Sequence, residues 1–275
     1  MKKILVPTDF SEGAFNALEY ALHFARLLNY SVEVIHTYYM PATGSMVMVD
    51  ITEMMSKNAR EELDLLKARV NKLSYAKDVP VNYRAEYGTV AEMINRVSRE
   101  DGVEFAVMGT QGASGITDKW LGTNAMDAAK VVEDPLLIVP ADHTYKNIDH
   151  ILFATDLKLT GNEIHLKFLA LIAKKSNAKV EFLHIRKQGE NIEDRKLAEY
   201  QDQLNRTFGD NRSRISYLYD EEIHDGIQDA IESKRPELLV VVRHKYGFFE
   251  GLFRSSISKQ LISESKLPIL VLQDK

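Results

Sequence analysis

The chain is predicted to be an α/β protein made of two tandem copies of one domain, each a parallel sheet with helices on both faces. Three observations lead there. The 275 residues exceed one typical domain of roughly 100–200 residues and suit two. Short, near-continuous apolar runs alternate with segments of helical apolar spacing, the pattern of strands buried on both faces and joined by right-handed crossovers. The same order of elements then runs through the chain a second time.

The first repeat opens on Ile4-Leu5-Val6-Pro7, a strand that ends in Thr8-Asp9. Leu18, Ala21, Leu22, Ala25 and Leu28 follow at helical spacing, predicting a helix over Glu19 to Leu28. Val32-Glu33-Val34-Ile35-His36 is the second strand. Tyr38 to Val49, with Met40, Met46, Met48, Pro41 and Gly44, reads as a mobile loop beside the ligand end of the sheet or as a partner surface, since methionine suits adaptable contacts. The charged segment from Ile51 to Ala76 reads as a helix whose stretch from Lys57 to Lys72 faces water. An alternating strand over Val79 to Glu86, a helix over Val90 to Arg99 and a buried strand over Val103 to Met108 come next. A helix around Thr123 to Val132 and a strand over Leu136 to Val139 close the repeat.

The second repeat answers element by element. Ile151 to Ala154 leads into Thr155-Asp156, and Ile164, Phe168, Leu171 and Ile172 mark the next helix. Val180-Glu181-Phe182-Leu183-His184 matches the earlier strand and ends on the same histidine. Ile192 to Phe208, Ile215 to Tyr219, Ile223 to Ser233, Leu238 to Val242, Ser256 to Ser263 and Ile269 to Leu272 complete the set. Pro135 and Pro268 precede the last strands, where a missing N–H does least harm. The expected domains are residues 1–143 and 147–275. The intervening linker, Ala141 to Asn147, is short and polar, which predicts closely packed halves.

Composition removes several classes of function. With no cysteine, disulfide frameworks, thiolate zinc sites and thiol catalysis are all excluded. No two histidines stand at i,i+4 with a carboxylate, so a metal-hydrolase site has no support. The net charge of −5 is spread along the chain, unlike the clustered basic face of a nucleic-acid binder. No run approaches the roughly 20 apolar residues of a membrane helix, and the apolar start is too short for a signal peptide. The expectation is a cytoplasmic protein with no nucleic-acid or membrane partner.

Chemistry concentrates where open parallel sheets place ligands, beyond the carboxyl ends of the strands. Thr8-Asp9 lies there in the first repeat. So does the segment from Met108 through Gly109-Thr110-Gln111-Gly112, followed after nine residues by Gly122-Thr123-Asn124. Gly109 and Gly112 let the backbone turn tightly and approach an anion. Gly122, Thr123 and Asn124 would offer backbone N–H groups and a hydroxyl at a helix N-terminus, which favours phosphate. Asp9 suits ribose hydroxyls, because a carboxylate accepts two hydrogen bonds; its other reading is a helix cap. His36 and His184 read as packed structural histidines. The Walker pattern and G-x-G-x-x-G are both absent.

G-x-x-G-x9-G-[ST] after a buried strand, together with Val6-Pro7-Thr8-Asp9-Phe10-Ser11, resembles the nucleotide-binding branch of the universal stress protein family, in tandem form. The resemblance covers nearly the whole chain. It implies Rossmann-like domains with five-stranded parallel sheets and ATP bound across the carboxyl ends. It assigns phosphate contacts to Gly109, Gly112, Gly122 and Thr123, ribose contact to Asp9, and adenine contacts near Pro7 and Thr37. Thr8, Met108 and Asn124 complete the expected site. Magnesium would arrive on the ATP phosphates rather than in a protein cage. Relatives pair through the last strand, which implies an intrachain pseudo-dimer and leaves room for a homodimer.

The second repeat departs from this pattern. Arg243 and Tyr246 stand at the first two glycine positions, and Ser255-Ser256 replace Gly122-Thr123 in a loop one residue shorter. Little or no ATP binding is expected there; Arg243, His244, Lys245 and Arg254 suit another anion instead. The leading expectation is an ATP-binding stress-response or signalling protein with one site per chain. Two alternatives stand beside it: a slow ATPase, for which Asp118 and Lys119 are the nearest candidate groups, and an interaction module that binds no nucleotide.

Overall fold

The computed structural model describes residues 1–39, 48–100, 102–110, 125, 128–129, 132–157, 163–190, 193–209, 212–243 and 266–273. The chain divides into two compact units, Met1–Tyr145 and Lys146–Lys275. Each is a Rossmann-like domain with a five-stranded sheet.

In the first unit the strands are β1 (Lys3–Thr8), β2 (Ser31–Tyr38), β3 (Val81–Tyr87), β4 (Val103–Gly109) and β5 (Leu136–Val139). They lie in the order β3-β2-β1-β4-β5, all parallel. Their near-unbroken apolar composition suits full burial: Ile4, Leu5, Val6, Val32, Val34, Ala106, Val107 and Leu136 have essentially no exposed surface. Helix α1 (Glu12–Leu28) packs on β1 and β4, α2 (Met48–Val70) on β2 and β3, and α3 (Val90–Val97) on β1.

Helix α1 starts about two turns earlier than the apolar spacing alone suggests, because Ser11 caps it. The Ser11 hydroxyl accepts the Ala14 N–H at 3.1 Å, satisfying one of the orphan donors of the first turn. Helix α2 also begins earlier than expected, at Met48, which takes Met48 and Val49 out of the expected loop; residues 40–47 lie outside the described ones. Ala59, Leu63, Leu66 and Val70 form its buried stripe, and most of its charged residues face water. It does not run on to Ala76. The chain unwinds after Val70 and closes in a single 3-10 turn at Ser74–Ala76. Val79 donates to Ala76 and so belongs to that turn, which is why β3 begins only after Pro80. Ala125, Ala128 and Ala129 are helical and buried, in line with the helix expected there.

The segment after β5 is not a free linker. Asn16 on α1 donates to the carbonyls of Pro140 at 3.1 Å and His143 at 3.0 Å. The Tyr20 hydroxyl meets His143 Nδ1, and the His23 ring is stacked between Tyr75 at 4.3 Å and Tyr145 at 4.0 Å.

The second unit repeats the plan with β6 (His150–Ala154), β7 (Lys179–Arg186), β8 (Ser213–Tyr219), β9 (Leu238–Arg243) and β10 (Ile269–Gln273). Their order is β10-β9-β6-β7-β8, again parallel. Helices α4 (Glu163–Ser176), α5 (Asp194–Phe208) and α6 (Ile223–Lys234) alternate with them. On α4 the core is met by Phe168, Leu169 and Ile172, with Leu171 only half-buried. The helix expected over Ser256 to Ser263 lies outside the described residues.

Candidate functional site

The candidate site of the first unit begins at the turn out of β1. Thr8 Oγ1 accepts the Phe10 N–H at 3.1 Å, and Asp9 Oδ1 accepts both the Ser11 N–H at 3.1 Å and the Ser11 hydroxyl at 2.6 Å. Phe10 takes a left-handed φ of 64°, and its ring lies 4.4 Å from that of His36. His36 Nδ1 sits 2.8 Å from the Thr8 carbonyl, so this nitrogen carries the proton and donates. The turn is thus locked from both sides, and Asp9 both buttresses the α1 cap and stands at the carboxyl end of β1.

The strand order makes that position meaningful. From β1 the chain winds outward through β2 and β3, while β4 and β5 lie on the other side of β1. The boundary between β1 and β4 is therefore the switch point, where a crevice opens beyond the strand ends. Asp9 follows β1, and Gly109 is the last residue of β4. Pro7 and Thr8 end β1, Met108 precedes Gly109, and Thr37 lies near the end of β2 opposite Glu86. All these expected site residues reach one end of one sheet. Gly112, Gly122, Thr123 and Asn124 lie outside the described residues, as do Asp118 and Lys119.

Gly109 has a structural reason to be glycine, apart from the phosphate contact expected of it. A Cβ there would lie 2.7 Å from the Gly13 carbonyl oxygen and 3.0 Å from its carbon. The end of β4 and the first turn of α1 approach too closely for any side chain. Sequence reading missed Gly13; its signal was a glycine two residues past the Ser11 cap, inside an otherwise good helix former's position.

The second unit keeps the turn. Thr155 Oγ1 accepts the Leu157 N–H at 3.0 Å, Leu157 has φ 60°, and His184 Nδ1 lies 2.9 Å from the Thr155 carbonyl. The two histidines are structural in the same way. Around them the surroundings differ. Thr155 Oγ1 also bonds the Tyr200 hydroxyl at 2.9 Å, and His184 Nε2 bonds Glu190 at 3.1 Å. Glu190 folds its own turn back by accepting the Lys187 N–H at 3.1 Å. Arg186 lies over the Tyr217 ring at 4.7 Å. Of the expected basic set only Arg243, which ends β9, falls among the described residues.

A feature that sequence reading passed over is the glutamate inside each second strand, Glu33 and Glu181, which stand at equivalent positions in register, opposite Asn82 and Arg214. Glu33 is 5% exposed and Glu181 1% exposed. Arg84 lies 3.6 Å from Glu33, whereas Glu181 has Lys234 at 2.7 Å, His150 at 3.2 Å and Arg214 in close contact. Burial alone would raise the Glu181 carboxyl, but hydrogen bonds from Lys234, Ser216 and Arg214 outweigh it and hold the group down to about 2. A charge repeated within an apolar run was the signal available in the sequence.

The model of the universal stress protein family matches residues 1–140 and 147–273. Universal stress protein MJ0531 of Methanocaldococcus jannaschii is 28% identical over 144 residues, covering 50% of this chain and 81% of its own. Universal stress protein MJ0577 of the same organism is 26% identical over 157 residues, covering 50% of this chain and 94% of its own. The crystal structure of a universal stress protein from Archaeoglobus fulgidus DSM 4304 matches with a TM-score of 0.77 at 19% identity. That match covers 99% of this chain and 98% of the other, and the likeness is one of fold. Among the described residues no helix is long and apolar enough to cross a membrane.

Proposed function

Because this chain belongs to the universal stress protein family, we propose that its first unit binds ATP and that the nucleotide biases a cytoplasmic stress-response or signalling role. One observation carries the reading: Asp9 and Gly109 flank the switch point between β1 and β4, where an open parallel sheet receives its ligand. Asp9 takes the ribose hydroxyls, with Oδ1 already oriented by Ser11. Pro7, Thr8, Thr37 and Met108 border the base and sugar. Gly109, Gly112, Gly122, Thr123 and Asn124 cradle the phosphates with backbone N–H groups and a hydroxyl. Magnesium rides on the phosphates.

The second unit carries no equivalent glycine loop, so one nucleotide binds per chain. The duplication and the apolar closing strands β5 and β10 support an intrachain pseudo-dimer, and chains pair further into a homodimer.

The test is to denature the purified protein, identify any released nucleotide, and titrate the emptied protein with ATP and magnesium in a calorimeter. One site per chain is expected, weakened about tenfold or more in Asp9→Ala, which removes charge-assisted hydrogen bonds worth roughly 1.5–3 kcal/mol. Absence of binding in the native protein overturns the reading. Gly109→Ala is unsuitable as the loss-of-binding control, because it also disturbs packing against Gly13.

A further inference from the structure

The second unit has a cavity of about 320 Å³ at the amino ends of β6, β7 and β8, the end opposite Asp156. Lys179, Arg212, Arg214, Ser213, His150 and Glu181 are among its lining residues. Its charge is lopsided. Glu181 is committed to Lys234, His150 and Arg214. Among the described residues neither Lys179 nor Arg212 has a carboxylate within salt-bridge distance, and Arg214, whose side chain is 69% exposed, spends one terminal nitrogen on Glu181. Asp149 is the remaining acid on the rim. Ser213 Oγ is buried with no hydrogen-bond partner among the described residues.

The first unit shows that the fold does not require these cations. In strand register Lys179 stands where that unit has Ser31, and Arg214 where it has Asn82. The Val180 N–H bonds the Arg212 carbonyl just as the Val32 N–H bonds that of Pro80, so Arg212 answers Pro80. Three neutral positions in one repeat are three cations in the other, on the same sheet and around the same buried glutamate. On the first unit's rim Lys2 and Lys3 replace Asp149 and His150, and Lys2 is paired with Glu104 at 3.0 Å.

We infer that this amino-end cavity binds a small phosphate-type oxyanion, free or as the monoester of a small metabolite. The Arg212 fork, the Lys179 ammonium and the buried Ser213 hydroxyl are donors without acceptors among the described residues, Arg214 keeps the part of its fork that does not meet Glu181, and phosphate supplies acceptors in matching geometry. Glu181 holds Arg214 in place as a positioning residue and does not itself meet the anion. The volume stands at the low end of small-molecule sites, which suits a ligand of that size and excludes a macromolecule inside it.

The experiment uses the full chain, titrated with inorganic phosphate at ionic strength held constant with chloride, and follows both heat and melting temperature. A saturable response is expected. A Lys179→Ser, Arg212→Gln double variant, which makes two of the three positions neutral as they are in the first unit, should weaken apparent affinity about tenfold or more. The double variant should bind ATP as the native chain does, which separates this site from the nucleotide reading; loss of ATP binding alone would not touch it. A parallel titration with glycerol 1-phosphate assigns the source: tighter binding than phosphate indicates a monoester, equal or weaker binding indicates the free anion. If phosphate acts no differently from chloride, or the double variant responds like the native chain, the inference fails.

Discussion

Gly109 illustrates how one absent carbon can have a reason other than the one its sequence pattern suggests. Its backbone meets that of Gly13 with no room for a Cβ. Gly109→Ala is therefore expected to destabilise the first unit by about 1–3 kcal/mol through overpacking, measurable by urea unfolding without any nucleotide. The sequence marks Gly109 by its spacing from Gly112 and Gly122, but the spacing names only the phosphate reason. The packing reason depends on which backbone crosses nearby, and no local pattern encodes that. His23 is legible even less: it lies on α1 as an ordinary half-buried residue, and its stacking partners Tyr75 and Tyr145 come from distant segments. Burial lowers its pKa below 6.5, Glu19 pulls the other way, and Arg26 adds to the lowering. The unfolded chain thus takes up this proton first. Stability is full above about pH 6.5 and declines as pH falls from there through the lower folded value. His23→Phe, which keeps the stack and removes the proton, should flatten that part of the stability–pH curve, as read by thermal melts from pH 7.5 to 5.

Elements were read more successfully than their ends. Strands β1, β2, β4, β7 and β9 emerge from apolar runs, because burial on both faces leaves a nearly continuous signal. The starts of α1 and α2 and the end of α2 were less legible. They are decided by capping and by a 3-10 turn rather than by periodicity. Ser11→Ala should cost the first unit about 1 kcal/mol, since the Ala14 N–H loses its acceptor and Asp9 loses the hydroxyl it holds. In the second unit the joint between β7, β8 and α6 is the Glu181 cluster. Glu181→Gln should cost about 2 kcal/mol, below the 3–5 kcal/mol of a fully enclosed ion pair, because Arg214 can turn to water. The native cluster should also weaken under acid, between about pH 4.5 and about pH 2, as the carboxylate is protonated. A variant that lacks this acid-induced loss would identify Glu181 as its origin.

The whole molecule was the most legible scale of all. Two Thr-Asp turns, two strand-end histidines and two closing Pro-led strands announce a duplication, and the fold and the family model agree with it. What divergence has done since is visible only in register. The glycine-led end of β4 stands against the arginine-led end of β9, and neutral positions on one amino end stand against cations on the other.

The segment after β5 has a consequence for anyone who separates the repeats. Pro140 to Tyr145 are held by Asn16, Tyr20 and His23, so a first repeat truncated at Val139 would strip the cover from an aromatic face of α1. Such a fragment should be sticky and short-lived in solution, whereas one ending after Tyr145 should be well behaved. In the intact chain trypsin should make its earliest cut in this region at Lys146, which is exposed and lies immediately beyond the clamp. The boundary between the copies thus lies where the chain lets go of its first helix, several residues later than the end of the last strand.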